Sequence, residues 1–331
     1  MTPADLNKQT DLDSSTAALT TLERIQTELQ SAEWSYDEAF CRNRGLISEE
    51  EQQRLKTSRV AIAGLGGVGG VHLMTLARLG IGRFTIADPD TFETANINRQ
   101  YGARTDTRGR SKAEVMAEEA RRINPDVELR VFDRAVQPEA VSEFLDGADL
   151  FVDGIDFFSI AIRRKLFRQA AANGIYAITA GPMGFGSAWL VFDPAGMSFD
   201  EYFDLNDSQS DLEQLIAFAV GVAPGLLHRP YLDLSQVSLT DRNGPSAGMA
   251  CQLCSGVAAA EAIKILLNRG GVKPVPHFAQ FDAYRGHLKQ GRLRWGNRGP
   301  MQQLKRAWLR RRFATKSTPN TKSTPKQSRG L

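Results

Sequence analysis

The chain has 331 residues, 42% hydrophobic and 24% charged, a globular composition long enough for one large α/β domain or two ordinary ones. No uninterrupted apolar run reaches the ~18 residues of a membrane span. Met1 to Ser15 has no apolar leader core, and Cys41, Cys251 and Cys254 cannot make a disulfide framework; the expected setting is cytoplasmic, with no membrane partner. The net charge of +3 hides an asymmetry, because all 38 acids precede Arg285 while fourteen of the 41 Lys and Arg residues lie from Arg285 onward.

In chain order, residues 1–20 are rich in Thr, Ser and Asp and are expected to be disordered. An N-terminal helical arm follows over 21–59. Leu22, Ile25 and Leu29 recur at helical spacing, Trp34 to Leu46 reads as an extended or turn-containing arm, and Ser48 opens a helix with Glu51 as its capping-box partner. The core, 60–180, begins with Val60-Ala-Ile-Ala-Gly64-Leu-Gly66-Gly67-Val-Gly69-Gly, a buried strand, a glycine turn and a helix start. Strands are expected at 83–88, 127–132, 150–152 and 176–179. Helices are expected at 71–79, 112–123, 138–145 and 160–173, an alternation that predicts a doubly wound, mostly parallel Rossmann-like sheet.

Residues 181–284 are expected to form a substrate-facing insertion with a closing helix and strand. A strand is read at 187–191, then a weakly patterned loop over 198–247 in which Phe218 to Leu227 is a packed lid segment. Met249 to Leu267 is a strongly apolar helix and Phe278 to Asp282 an edge strand. The basic extension, 285–331, holds an amphipathic helix over Pro300 to Phe313 and a low-complexity tail. A solvated tail is its plainer reading; nucleic acid or an acidic protein bound through it is the less favoured one.

The glycines point to a phosphate. Gly64 permits the tight turn, Gly66, followed by Gly67, lets backbone approach a phosphate, and Gly69 lets the helix pack on the strand, with the helix's first N–H groups facing the anion. Asp88 ends the next strand, where a carboxylate can accept from both ribose hydroxyls of a nucleotide. To this point an NAD-dependent oxidoreductase and a nucleotide-activating enzyme read alike.

The next stretch separates them. Asp88-Pro-Asp-Thr-Phe-Glu-Thr-Ala-Asn96-Ile-Asn98-Arg99-Gln100, followed by Gly109-Arg-Ser-Lys112, resembles the ThiF/MoeB/HesA family of ubiquitin-activating-like adenylyltransferases. These activate the sulfur-carrier proteins of molybdopterin and thiamine synthesis. The resemblance spans about 38–180 and is weaker through 250–267. It implies that Asp88 holds the ribose of ATP, that Asn96, Arg99 and Lys112 hold the triphosphate, and that Asp156 coordinates Mg2+. It also implies that Arg42 reaches the phosphates of a neighbouring subunit, so a homodimer is expected. Independently of the family, two cations and a metal ion are what stabilise the charge that develops on pyrophosphate when a carboxylate attacks the α-phosphate.

Two features depart from the pattern. Only one C-x-x-C pair, Cys251 and Cys254, stands where many relatives carry two, so no zinc is expected. No cysteine lies between Asp156 and Ala250 to accept an acyl group, and His228 and His277 read as bystanders. The expected activity is ATP- and Mg2+-dependent adenylation of a carboxylate. Its substrate is expected to be the C-terminus of a ubiquitin-like or sulfur-carrier protein, or else a small carboxylate; the tRNA-modifying branch of the family, which cyclises threonylcarbamoyladenosine, is the alternative.

Overall fold

A computed structural model describes residues 34–238 and 243–314. The readings of 1–20 and of a helix at 21–29, and the tail beyond Ala314, lie outside the described residues. The chain divides into a short unit ending at Arg42 and a second unit from Asn43 onward. The described part of the first unit is a helical turn, Tyr36–Ala39, capped by Ser35 and leading into a 3-10 turn, Cys41–Asn43, the turn-containing rather than the extended of the two forms expected. Its aromatic rings pack on one another, with Tyr36 and Phe40 centroids 4.6 Å apart.

The second unit is built on one eight-stranded sheet in the order β3-β2-β1-β4-β5-β6-β7-β8. The strands are β1 (Arg59–Ala63), β2 (Arg83–Ala87), β3 (Glu128–Phe132), β4 (Leu150–Asp153), β5 (Tyr176–Met183), β6 (Gly186–Phe192), β7 (His277–Asp282) and β8 (His287–Arg292). The first five pair in parallel and β6 to β8 add antiparallel. This is the expected mostly parallel, doubly wound α/β sheet. Parallel strands covered by helices on both faces must be apolar throughout. In β1, Val60 and Ile62 pack into one core and Ala61 and Ala63 into the other, with no residue left for solvent. Strand order reverses at β1, between β2 and β4, and ligands of such sheets bind outside the carboxyl ends of the strands at this point.

Local signals account for several boundaries. Ser48 and Glu51 form the expected capping box of the helix Glu49–Thr57. The helix after the glycine turn starts within it, at Gly67, and runs to Arg78 with no side-chain cap.

The stretch 198–247 differs from the expected loop, because Phe199–Phe203 and Asp211–Val222 are helices. Each opens on a Ser-x-x-Glu capping box, Ser198 with Glu201 and Ser210 with Glu213, which satisfies two of the donors a helix N-terminus leaves unpaired. Phe218 therefore belongs to a packed helix and not to a lid. The strand β7 is not an edge, because β8 pairs along its length and takes the rim of the sheet.

The helix Gly248–Leu266, with 19 residues and a mean hydropathy of 1.4, is long and apolar enough to cross a membrane by length and composition, which the sequence expectation had excluded. Here it packs on β5, β6 and the glycine-turn helix. Its Ser255 Oγ lies 3.0 Å from Val71 O and 2.7 Å from Thr75 Oγ1. The helix Pro300–Ala314 packs on Asp211–Val222, and its buried Arg306 donates to Asp204, a residue held at φ 57°.

His72, fully buried on the glycine-turn helix, has no hydrogen bond at either ring nitrogen, and burial pushes its pKa down to about 4. An unfolded chain takes up that proton near pH 6.5, so the neutral ring's contribution is intact above pH 6.5 and is lost as pH falls toward 4. The loss is about 3 kcal/mol at most, from ~1.4 kcal/mol per unit. His72→Leu is expected to show a smaller drop in urea midpoint between pH 7 and pH 4.5 than the parent; an equal drop would place the titrating group elsewhere.

Candidate active site

The reversal of strand order creates a crossing of backbones that only glycine permits. Gly64 follows β1 at φ 83°, and a Cβ there would lie 2.2 Å from Gly154 O, just past β4. A Cβ on Gly69 would lie 1.8 Å from Gly64 O. These two glycines are therefore required by the packing of turn, helix and neighbouring strand. Gly66 has a different surrounding: its Cβ would meet only the Gln100 side chain, at 3.6 Å, and Gly66 and Gly67 face a cavity. The uncapped N-terminus of the helix Gly67–Arg78 opens on that wall, which suits an anion.

The cavity has a volume of about 1700 Å³, well above the ~300–1,000 Å³ of common ligand pockets. Gly64, Gly66, Gly67, Asp88, Asn96, Arg99, Lys112 and Asp156 all line it. Gly69 does not, in keeping with its packing role. Arg42 belongs to the first unit, in the turn Cys41–Asn43.

The lining residues are held by the elements that bear them. Asp88, buried at the end of β2, accepts from Leu65 N at 2.6 Å and Asp90 N at 2.9 Å, so its carboxylate ties the glycine turn to the next strand. Burial raises its pKa, against the lowering effect of those N–H groups and of Lys112. Lys112, at the start of the helix Lys112–Ile123 and only 7% exposed in its side chain, pairs with Asp90 at 3.0 Å. Asn96 is buried and its Oδ1 accepts from Glu93 N at 3.0 Å, closing the 3-10 turn Thr94–Asn96. Arg99 Nη1 donates to Ala95 O and Asn98 Oδ1, both at 2.9 Å. Asn98 in turn donates to Ser246 O at 2.9 Å, which docks this loop on the approach to the helix Gly248–Leu266.

Asp156 is exposed and accepts from Phe158 N at 3.2 Å. Its loop hangs on a buried ion pair that the sequence reading did not single out. Arg163 Nε meets Asp153 Oδ2 at 2.8 Å with both side chains at most 2% exposed. The same guanidinium donates to the carbonyls of Ile155, Asp156 and Phe157 and lies 4.5 Å from the Phe218 ring. The sequence reading also gave no role to Gln100, which is buried in the cavity wall beside Gly66 with Oε1 lacking a partner. Nor did it place Trp308 in the cavity, since nothing in local spacing brings a residue of the last described helix to the first glycine turn.

Both cysteines of the C-x-x-C pair are buried, and burial pushes both thiols up. Cys251 touches the cavity wall where a Cβ on Gly67 would come within 3.1 Å of its sulfur. Among the described residues no group of three or more His, Cys, Asp or Glu is arranged to hold a metal ion.

The fold and the site together define a doubly wound α/β scaffold with its glycine turn at the switch point. Residues 40–298 match the family model described as ThiF family, and the chain belongs to that family. It is 34% identical over 151 residues to the tRNA threonylcarbamoyladenosine dehydratase of Haemophilus influenzae, covering 45% of this chain and 57% of that protein. It is 32% identical over 148 residues to the sulfur carrier protein ThiS adenylyltransferase of Escherichia coli, covering 45% and 58%. The aligned parts are thus a little over half the length of these curated relatives. The structure of E. coli tRNA N6-threonylcarbamoyladenosine dehydratase in complex with ATP superposes with a TM-score of 0.52 at 25% identity, over 70% of this chain and 95% of that one.

Removing Arg163 strands a buried carboxylate, a change that costs about 3–5 kcal/mol when one partner of a buried pair is lost. Arg163→Met is expected to lower unfolding free energy in urea by that order, whereas Arg168→Met, at a half-exposed arginine on the same helix, should cost under about 1 kcal/mol. Equal effects would mean that the pair does not anchor the loop.

Proposed function

We propose that the protein is an ATP-dependent adenylyltransferase that converts a carboxylate to an acyl-adenylate with release of pyrophosphate. The observation that carries this reading is the convergence, on one cavity wall, of an uncapped helix N-terminus, the buried carboxylate of Asp88, Arg99, Lys112 and Asp156. An oxyanion-stabilising wall of this kind lowers the barrier by neutralising charge on the leaving group, and the chemistry needs little else from the protein than position. In this reading Gly64 to Gly67 and Asn96 seat the phosphates, Asp88 orients the ribose, and Arg99 and Lys112 face the charge that builds on pyrophosphate.

Magnesium belongs to the same proposal. A Mg2+ ion commonly takes one or two carboxylates and completes its shell with substrate phosphates and water. Asp156, exposed on the cavity wall, is a donor set of that kind. When bound, the ion would neutralise phosphate charge.

The substrate carboxylate is the C-terminus of a ubiquitin-like or sulfur-carrier protein, a reading supported by the family relative that adenylylates ThiS. A tRNA-linked carboxylate is the second reading, supported by the relatives that dehydrate threonylcarbamoyladenosine. A homodimer completed by Arg42 belongs to the proposal as well.

ATP–pyrophosphate exchange that depends on an added carrier protein, carboxylate or modified tRNA is the expected result. Arg99→Ala and Asp156→Ala are each expected to lower it about 100-fold or more with thermal midpoint unchanged, as for loss of a transition-state charge partner. Exchange absent with every carboxylate, under conditions where ATP binding is measured, would remove adenylation from consideration.

A further inference from the structure

The cavity that holds the glycine turn is chemically two-sided. The five acids among its described lining residues, Asp88, Asp90, Glu93, Asp153 and Asp156, come from the nucleotide half. From Thr179 onward the described lining residues include no Asp or Glu, and the charged ones are Arg229 and Lys305. Around these cations the wall is apolar and aromatic, with Phe218, Trp308 and Phe313 among its members.

Three polar side chains on this far side offer hydrogen-bond donors. Arg229 extends from the loop after the helix Asp211–Val222 and lies 5.5 Å from the Trp308 ring, a cation–π arrangement that holds the guanidinium against the last described helix. Lys305 stands one turn before Trp308 on that helix. Its amino group is fixed by Pro224 O at 2.9 Å and Gln302 Oε1 at 2.6 Å. An ammonium has three donors, so one remains. His228, next to Arg229, meets Gln280 Nε2 at Nδ1 across 3.3 Å. The amide N–H donates to Nδ1, which leaves the imidazole proton on Nε2 and makes that nitrogen a donor. Burial holds this histidine's pKa below its usual value, with Asp282 opposing and Arg229 assisting, so the neutral donor form prevails near pH 7. Burial and the neighbouring Lys289 likewise lower the pKa of Lys305.

We infer that the far side of the cavity binds a low-molecular-weight apolar anion, its ring or branched body against Trp308 and Phe218 and its negative group on Arg229, Lys305 and the Nε2–H of His228. Among the described lining residues from Thr179 onward no carboxylate faces a cationic ligand, and the site rewards an anion because an apolar wall strengthens each charge-assisted hydrogen bond. That this ligand is a small carboxylate taken as second substrate in place of a carrier C-terminus rests on the adenylation reading; the binding itself does not. Arg229 thereby becomes a specificity-determining residue, and His228 is moved from the bystander role that its place in a loop suggested.

The test uses two fluorescent probes of similar shape on the full chain, anionic 1-anilinonaphthalene-8-sulfonate and neutral N-phenyl-1-naphthylamine, each titrated with and without a saturating non-hydrolysable ATP analogue. The anionic probe is expected to bind with a stoichiometry of one in the presence of the analogue. Arg229→Glu should weaken it at least tenfold and Arg229→Lys less than threefold, while the neutral probe changes less than twofold in both. Arg229 is exposed, so charge reversal there does not disturb the core, and an unchanged thermal midpoint checks this. Absence of saturable anionic-probe binding, insensitivity to Arg229→Glu, equal loss of the neutral probe, or displacement by the analogue would each overturn the inference. If the analogue fails to bind, the adenylation reading fails instead, and the titrations without it still decide the anion site.

Discussion

One contact holds the site together: the backbone at Gly64 against the backbone at Gly154, with Gly69 closing on the same point. It brings the ends of β1 and β4 to within a distance that no side chain allows. The wall that carries Asp88, the glycine turn and Asp156 is referenced to it. Asp88 grips Leu65 within the turn, the loop bearing Asp156 departs immediately after Gly154, and the helix from Gly67 starts in the turn itself. The glycines are thus a geometric requirement first. The same geometry also leaves the first N–H groups of the helix uncapped and aimed at the cavity, which is why a packing device can serve as an anion seat.

The buried pair of Asp153 and Arg163 extends this reference outward. Its guanidinium collects three successive carbonyls, so the loop at 155–157 is fixed by a residue of the following helix in addition to its own hydrogen bonds. Asp156 can then remain exposed and yet be positioned. The electrostatics of the cavity follow from the same division of labour. Acids gather where strands β2 and β4 end, beside Arg99, Lys112 and Arg163, and the elements contributed after Thr179 bring cations and aromatic rings without described acids.

The parallel half of the sheet was legible in the sequence because its strands are short apolar runs and its turns carry glycine, Asp88 and Asn96 in a recognisable order. The two helices at 199–203 and 211–222 were signalled by Ser198 with Glu201 and Ser210 with Glu213. Their apolar positions fill both sides of a helix buried between others, so no amphipathic period marked them. The edge strand β8 was missed for the opposite reason. His287, Leu288, Lys289 and Gln290 are all exposed and lack the alternation of a strand with one covered face. In the site, residues adjacent in sequence to the glycine turn and to Asp88 could be read from spacing. Arg163, His228, Lys305 and Trp308 could not, since their positions depend on tertiary folding across tens to hundreds of residues.

Both rims of the sheet carry charge. On β3, Glu128 takes Arg83 of the adjacent β2 and Arg59 of β1 beyond it, and Arg130 reaches Asp146. On β8, Lys289 and Arg292 stand exposed with no acid among the strand's residues. A second copy that tried to continue the ladder at β8 would set lysine and arginine against their own kind, and like charges directly opposite one another destabilise such pairing. The basic character of this part of the chain therefore has a use that requires no ligand: it guards an open row of peptide groups against aggregation by sheet extension.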